Sequence, residues 1–297
     1  MSNTTDTIHR YLFSEAPIRG ELIQLQETVK QSLRHHDYPE RIDMLLGELL
    51  AATNLLSATL KFEGQITLQL QSEGPVKLAV VSSTHQHQVR AVAQFDEQAV
   101  QQLTHATPLP QLFKAGQLVI TITPDAGQKY QGVVALDQAN LAACLEQYFE
   151  QSEQLKTRIW LFSKNNKAAG MMLQALPEHQ DGLEQQNQYF EHLETLTNTI
   201  TEEEIFNLDA HDLLVRLYHE EKVELFEPDN VSFQCNCSNE RSQATIKQLG
   251  ESEAKSILEE HTEIVMQCEF CGQSYKFDAV DVAAIFSDAQ ASTHHKH

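Results

Sequence analysis

Ile42, Leu45, Leu46, Leu49, Ala52, Leu55 and Leu56 recur at helical spacing and predict a helix with a buried apolar stripe. Asp37-Tyr38-Pro39-Glu40 marks its start, with proline near the first turn and an acid beside it. After Gly64 the period drops to two. Ile66, Leu68 and Leu70 alternate with Thr67 and Gln69, Gly74-Pro75 interrupts, and Val76, Leu78 and Val80 resume the alternation of a strand–turn–strand. Further strands are expected at Leu118–Thr123, Tyr130–Leu136, Thr157–Phe162 and Met171–Leu176. A helix over about Gln138–Gln154 separates the first two of these from the last two. Residues 1–180 thus read as an α+β core domain on an antiparallel sheet with helices.

From Leu183 to Leu249 there is no glycine, and Glu, Gln and Asn dominate. Leu193, Leu196, Ile200, Ile205 and Leu208 form one apolar stripe; Leu213, Leu214, Leu217 and Tyr218 form another. Amphipathic helices are therefore expected over 181–230, as a helical linker. They either cap the core or form a marginally stable segment that releases its apolar faces, a choice decided by a few kcal/mol. The acidic runs Glu202-Glu203-Glu204 and Glu220-Glu221 favour some strain. Residues 231–288 form a small C-terminal segment, with a helix over Ser252–Glu260, a short strand around Tyr275 and Phe277, and a closing helix over Val280–Phe286. The tail 289–297, ending His294-His295-Lys296-His297, is expected to be disordered and to offer at most an adventitious metal site.

Composition narrows the function. A chain of 297 residues suggests two domains at about 150 residues each. Lys plus Arg is 21 and Asp plus Glu is 42, a formal charge of −21. That field repels phosphate backbones, and no local basic patch offsets it, so nucleic acid is not an expected partner. Met1–Asp6 lacks a basic region ahead of an apolar core, so no secretory signal is read there. The most apolar stretch, Leu45–Leu60, is interrupted by Glu48, Thr53, Asn54 and Ser57, too polar to span a membrane. A cytoplasmic protein is expected, and in that compartment clustered thiols bind metal or carry redox chemistry rather than form permanent disulfides.

Four of the five cysteines lie in the last quarter, as Cys235-Asn236-Cys237 and Cys268-Glu269-Phe270-Cys271-Gly272 with 30 residues between them. Two close pairs supply the four thiolates of a tetrahedral zinc site, one ion per chain. A metal-free dithiol pair is the alternative. Structural zinc contributes about 10–16 kcal/mol of apparent binding energy, and a segment this short has little core of its own. Disulfides within each pair would close very small rings, worth roughly 1.5–2 kcal/mol each, and would tie neither pair to the other. Disulfides across the pairs could preserve the fold. Proximity in sequence favours local pairing, which makes an oxidation-driven unfolding switch plausible. Cys144, in Leu141-Ala142-Ala143-Cys144-Leu145, reads as a buried bystander.

At these cysteines, and over most of the chain, the sequence resembles the bacterial redox-regulated 33 kDa heat-shock chaperonins, a family of holdases. The resemblance is carried by the two cysteine pairs followed by Tyr275-Lys276-Phe277, by Arg10-Tyr11-Leu12-Phe13, by Ile18-Arg19-Gly20-Glu21-Leu22 and by Leu55 through Lys61-Phe62-Glu63-Gly64-Gln65-Ile66. It continues in Tyr130-Gln131-Gly132-Val133-Val134, in Tyr148-Phe149-Glu150-Gln151-Ser152-Glu153-Gln154 and in Arg216-Leu217-Tyr218-His219-Glu220-Glu221. Residues 163–170 and the tail show no match. Lys156 departs from the proline the family pattern leads one to expect, which bears on a local turn.

The resemblance implies an ATP-independent chaperone, not an enzyme, inactive when reduced and zinc-bound at Cys235, Cys237, Cys268 and Cys271. It implies disulfides Cys235–Cys237 and Cys268–Cys271 on oxidation, zinc release, unfolding of the C-terminal segment, and exposure of apolar surface to unfolding client proteins. The active form would be a homodimer. A passive zinc-stabilised interaction module is the competing reading. A zinc deaminase is the other, from His192-x-Glu194 with Cys268-x-x-Cys271, but Gln267 stands where that signature needs proline and four thiolates close the open position catalysis requires.

Overall fold

The helix expected from residue 40 runs Glu40–Ala58 and is buried on nearly every side. A helix apolar all round must lie inside its domain. The computed structural model describes residues 6–60, 63–104, 106–179 and 182–293, the last six by backbone alone. The expectations for the first five residues and for 294–297 lie outside the described residues. The chain divides into two units, Met1–Gln234 and Cys235–His297.

The first unit begins with β1 (Thr7–Phe13), β2 (Ile18–Leu25), α1 (Glu27–Leu33) and α2, the buried helix. Next come β3 (Gly64–Gln71), β4 (Val76–Thr84), β5 (Gln88–Phe95), α3 (Glu97–Val100), α4 (Leu109–Leu112), β6 (Gln117–Pro124) and β7 (Tyr130–Ala135). Then follow α5 (Leu141–Tyr148), a π-helical turn (Phe149–Glu153), β8 (Thr157–Lys164) and β9 (Lys167–Ala175). It ends with α6 (Leu183–Thr197), α7 (Glu202–Asn207), α8 (Ala210–Tyr218), β10 (Val223–Leu225), β11 (Asp229–Asn230) and β12 (Ser232–Phe233).

One sheet has the order β10-β1-β2-β9-β8, with β11 also on β1; the other runs β12-β5-β4-β3-β6-β7. Pairing is antiparallel except for β12 on β5. α2 lies between the two sheets, and its leucines share one core with Ile23 and Met172 of the first sheet and Ile66, Leu68 and Ile120 of the second. Polar groups inside this layer are satisfied locally: Thr53 Oγ1 donates to Leu49 O at 2.6 Å, and Asn54 Nδ2 to Leu50 O at 2.8 Å. Gly47 is needed because a Cβ there would sit 2.1 Å from Ser163 Oγ.

The four strands expected between residues 118 and 176 are present, β9 starting earlier than expected, at Lys167. The helix expected over Gln138–Gln154 is instead α5, capped by Asn140, which accepts from Ala143 N, and then the π-helical turn ended by Gln154 at φ 56°. β1, β2 and β5 escape the alternation pattern. On β2, Leu22 packs into one core and Ile23 into the other, so the polar face that would mark the period is missing.

Three helices rather than two occupy the segment 181–230. α6, α7 and α8 lay Phe190, Leu193, Ile205, Leu213, Leu214 and Leu217 against Tyr11, Phe13, Ile18, Leu22, Met171 and Leu173 on the free face of the first sheet. Their caps are built in: Thr201 and Glu204 form a reciprocal capping box, and Asp209 accepts from Asp212 N. The end of the segment is clasped as well. Val231 is buried, its N–H donates to Asp6 O at 2.8 Å, and Thr28 Oγ1 donates to its carbonyl at 3.2 Å.

In the second unit, α9 (Asn239–Leu249) and α10 (Glu251–Glu260) precede a hairpin of β13 (Ile264–Gln267) and β14 (Ser274–Phe277), closed by α11 (Ala279–Thr293). α10 and β14 match expectation. α9 does not, because only its Ile246 is buried and its sequence shows no stripe. α11 continues five residues into the expected tail.

Candidate metal centre

The hairpin of β13 and β14 presents Cys268 and Cys271 in the loop between its strands, which register Gln267 against Ser274. Cys268 N–H donates to Gln273 O at 2.9 Å and Gly272 N–H to Cys268 O at 2.8 Å. Gly272 takes φ 70°, the left-handed conformation the tight knuckle requires. Cys235 and Cys237 precede α9, whose N-cap Ser238 accepts from Arg241 N at 3.3 Å. The positive end of that helix therefore begins one residue after Cys237, where it favours a thiolate.

The four cysteines named from sequence come together. Cys235 Sγ lies 3.6 Å from Cys268 Sγ, and Cys237 Sγ lies 3.4 Å from Cys271 Sγ. All four sulfurs fall within 4.8 Å of one another, each partly buried, and could hold a metal ion. Tetrahedral zinc with Zn–S near 2.3 Å sets neighbouring sulfurs about 3.8 Å apart, so the spacing fits.

The electrostatics fit too. Burial pushes the Cys235 and Cys271 thiols up. Burial acts on Cys237 in the same sense, but hydrogen bonds from Tyr275 and the neighbouring thiols outweigh it and hold Cys237 below its ordinary value. Four thiolates this close repel one another, and a bound dication is what allows all of them to ionise.

Tyr275 is read from sequence as a strand residue and as part of the family resemblance, and its contact with the thiol cluster is what sequence reading missed. Its hydroxyl donates to Cys237 Sγ at 3.2 Å, and this bond is the main reason its own pKa rises to about 12. Alternation on β14 hinted at it: Tyr275 points opposite to Lys276, toward the knuckle side.

The second unit has little else to hold it. Its buried apolar set, among the described residues, is Ile246, Ala254, Ile264, Phe277, Val282 and Ile285. Cys144, by contrast, is fully buried in the main core of the first unit, and burial raises its thiol. Asp209, His211 and Asp212 form a second group within metal-binding reach. They are exposed at the start of α8, where the helix dipole repels a cation.

His192 and Glu194, the residues named for the deaminase reading, have partners within the first unit. His192 Nε2 meets Glu221 at 2.8 Å, and Glu194 accepts from Arg158 Nε at 2.7 Å, so both hold α6 in place. The rest of the docked segment is pinned by similar bonds. Gln24 Nε2 donates to Ile205 O at 2.7 Å and Leu208 O at 2.8 Å, Gln186 Nε2 to Pro17 O at 2.9 Å and Leu176 O at 2.8 Å, and Trp160 Nε1 to Asn198 at 2.9 Å. No helix among the described residues is long and apolar enough to cross a membrane.

Comparison with known proteins covers nearly the whole chain. The family model described as Hsp33 protein matches residues 6–278. A 33 kDa chaperonin of Shewanella baltica is 52% identical over 288 residues, covering 97% of this chain and 98% of that protein. One from Shewanella putrefaciens is 52% identical over 287 residues, with the same coverage. In fold, the chain is similar to the crystal structure of the 33 kDa chaperonin (heat shock protein 33 homolog) of Thermotoga maritima, with TM-score 0.77 and 17% identity over 96% of this chain and 99% of that one.

Proposed function

This chain belongs to the Hsp33 family of chaperonins, and from that premise we propose that it is a redox-regulated, ATP-independent holdase of the cytoplasm. It is a chaperone, not an enzyme. The observation that carries the redox reading is the set of four sulfurs within 4.8 Å of one another in a unit with so small a core. In the reduced state Cys235, Cys237, Cys268 and Cys271 hold one zinc ion, which supplies the second unit with most of its folding energy.

Oxidation of each pair, Cys235 with Cys237 and Cys268 with Cys271, forms one S–S bond. Each pair of thiolates gives two electrons to one hydrogen peroxide, whose O–O bond breaks and which takes two protons from solvent to leave as two waters, while the zinc departs as the free dication. Thiolates converted to disulfides no longer ligate the metal, and neither disulfide ties the first pair to the hairpin. Cross-pair contacts of 3.6 and 3.4 Å stand among four sulfurs that all lie within 4.8 Å of one another, so the local partner of each cysteine is within reach as well.

Unfolding of the second unit would then reach α6–α8, whose apolar faces lie on the sheet beneath them. Undocking exposes both faces to unfolding client proteins, and the active form is a homodimer.

The test mixes the protein with a heat-denaturing client and follows light scattering, reduced against peroxide-treated. Protection only after oxidation, with one zinc released and four thiols lost, is expected. Equal scattering in both states would leave only a passive zinc-stabilised module. Mass spectrometry of linked peptides reads the pairing directly, and Cys235–Cys268 or Cys237–Cys271 peptides would overturn the local scheme.

A further inference from the structure

Arg19, Leu56, Ile66, Tyr148, Phe149 and Glu153 belong to segments singled out in the sequence, and neither the metal centre nor the docked helices use these residues. All six line one cleft of about 460 Å³ in the first unit. That volume falls within the roughly 300–1,000 Å³ of small-molecule sites. Ile66 of β3 faces Ile122 of β6 in register. With Leu56 of α2, Ile120, Phe149 and Leu176 they give the cleft an apolar wall.

One cation interrupts that wall. Arg19, on β2, has a side chain only 21% exposed. Its Nε and Nη2 donate to Gln174 Oε1 at 3.1 and 2.6 Å. Gln174, itself fully buried, donates through Nε2 to Thr157 Oγ1 at 2.9 Å, and Thr157 Oγ1 donates to Leu155 O at 3.0 Å. This relay fixes the plane of the guanidinium. Of its five N–H donors, the bonds to Gln174 use two, and among the described residues the other three have no partner. Two of those three lie side by side on the Nη1–Nη2 edge, the fork that fits both oxygens of a carboxylate.

The acids nearby leave that charge incompletely matched. Glu21 Oε1 stands 3.7 Å from Arg19 Nε, beyond hydrogen-bond distance. Burial raises the Glu21 pKa to about 7, so near neutrality much of it is protonated. Glu153, exposed at the mouth, is engaged elsewhere. The π-helical turn brings residues five apart together, and the Tyr148 hydroxyl donates to Glu153 Oε1 at 3.0 Å. The cleft therefore offers a long apolar wall and one held guanidinium. Arg19 repels a cation, and a bare inorganic anion would gain nothing from the wall.

We propose that this cleft binds a small aliphatic carboxylate, its two oxygens on the Nη1–Nη2 edge of Arg19 and its hydrocarbon chain along Ile66, Ile120, Ile122 and Phe149. The site belongs to the first unit and uses no cysteine. It does not rest on the redox reading, and its test measures ligand binding rather than client protection, so either can fail without the other.

Isothermal titration of octanoate into the full-length reduced protein at neutral pH is the measurement, and saturation at one site per chain is expected. Arg19→Gln should weaken binding about tenfold or more, because a charge-assisted bidentate contact is lost. On the wild type, 1-octanol, with the same chain and no charge, should show a similar loss relative to octanoate. Ile122→Trp fills the cleft and should abolish octanoate binding while the protein keeps its cooperative thermal transition. Hydrogen exchange of the wild type needs no variant: with octanoate, protection should rise in β6 and in Tyr148–Gln154. No saturable binding, equal affinity for octanoate and 1-octanol, or binding indifferent to both Arg19→Gln and Ile122→Trp would overturn the proposal. Protection gained over α6–α8 instead would overturn it too, by placing the ligand on the docked helices.

Discussion

Leu213 lies at the centre of the docked helices, fully buried between α8 and the first sheet. Leu213→Ala deletes three carbons, at about 0.8 kcal/mol each, and leaves a cavity, so about 3–5 kcal/mol of docking energy is lost. At about 1.4 kcal/mol per factor of ten, the undocked population should rise roughly 100- to 4,000-fold. Native-state hydrogen exchange read by mass spectrometry measures this directly. Amides of α6, α7 and α8 should lose protection by that factor, while those of β3, β4 and β6 keep theirs. If the holdase reading is right, the reduced variant should also suppress client aggregation without oxidant. Uniform loss of protection over α2 and the second sheet would refute the reasoning, because the helices would then unfold only with the whole unit. Unchanged protection in α8 would show that Leu213 does not hold the segment down.

Other outcomes follow from particular contacts. Glu21 is 1% exposed and burial raises its pKa to about 7, with Arg19 and Arg10 only partly opposing. The folded state therefore holds this proton more tightly than the unfolded chain, and stability falls as pH rises from the unfolded value through 7. Glu21→Gln should remove that loss, gaining up to roughly 3 kcal/mol at pH 8 and nothing near pH 4; a pH-independent difference in urea midpoint would contradict it. Tyr275→Phe removes the donor to Cys237 and should weaken zinc binding roughly 10- to 100-fold in chelator competition; an unchanged affinity would mean the hydroxyl plays no part. Chelation, or Cys268→Ser, should melt residues 235–293 while the first unit keeps its own transition by calorimetry. Gly20→Ala would place a Cβ 2.1 Å from Tyr11 Cζ, forcing the ring out at about 1–3 kcal/mol, which thermal melting would register as a lowered midpoint.

Local pattern and local spacing carried the parts of the protein that neighbours in sequence can specify. The leucines of α2 announce a helix because their period is intrinsic to its backbone, and β3 and β4 announce strands because one face is more polar than the other. The two cysteine pairs announce a thiol cluster that could hold a metal ion because each pair is already close along the chain. What depends on which surface covers which was not legible. β2 gives no alternation because two layers bury both its faces, a fact set by α2 on one side and α8 on the other. The docking of 181–230 rests on contacts such as Gln24 with Ile205 and Leu208, nearly the length of the first unit apart. Tyr275 meets Cys237 only after the hairpin closes. Periodicity records one-sided burial within a segment; partners brought together by long-range packing leave no such record, and tertiary structure alone decides them.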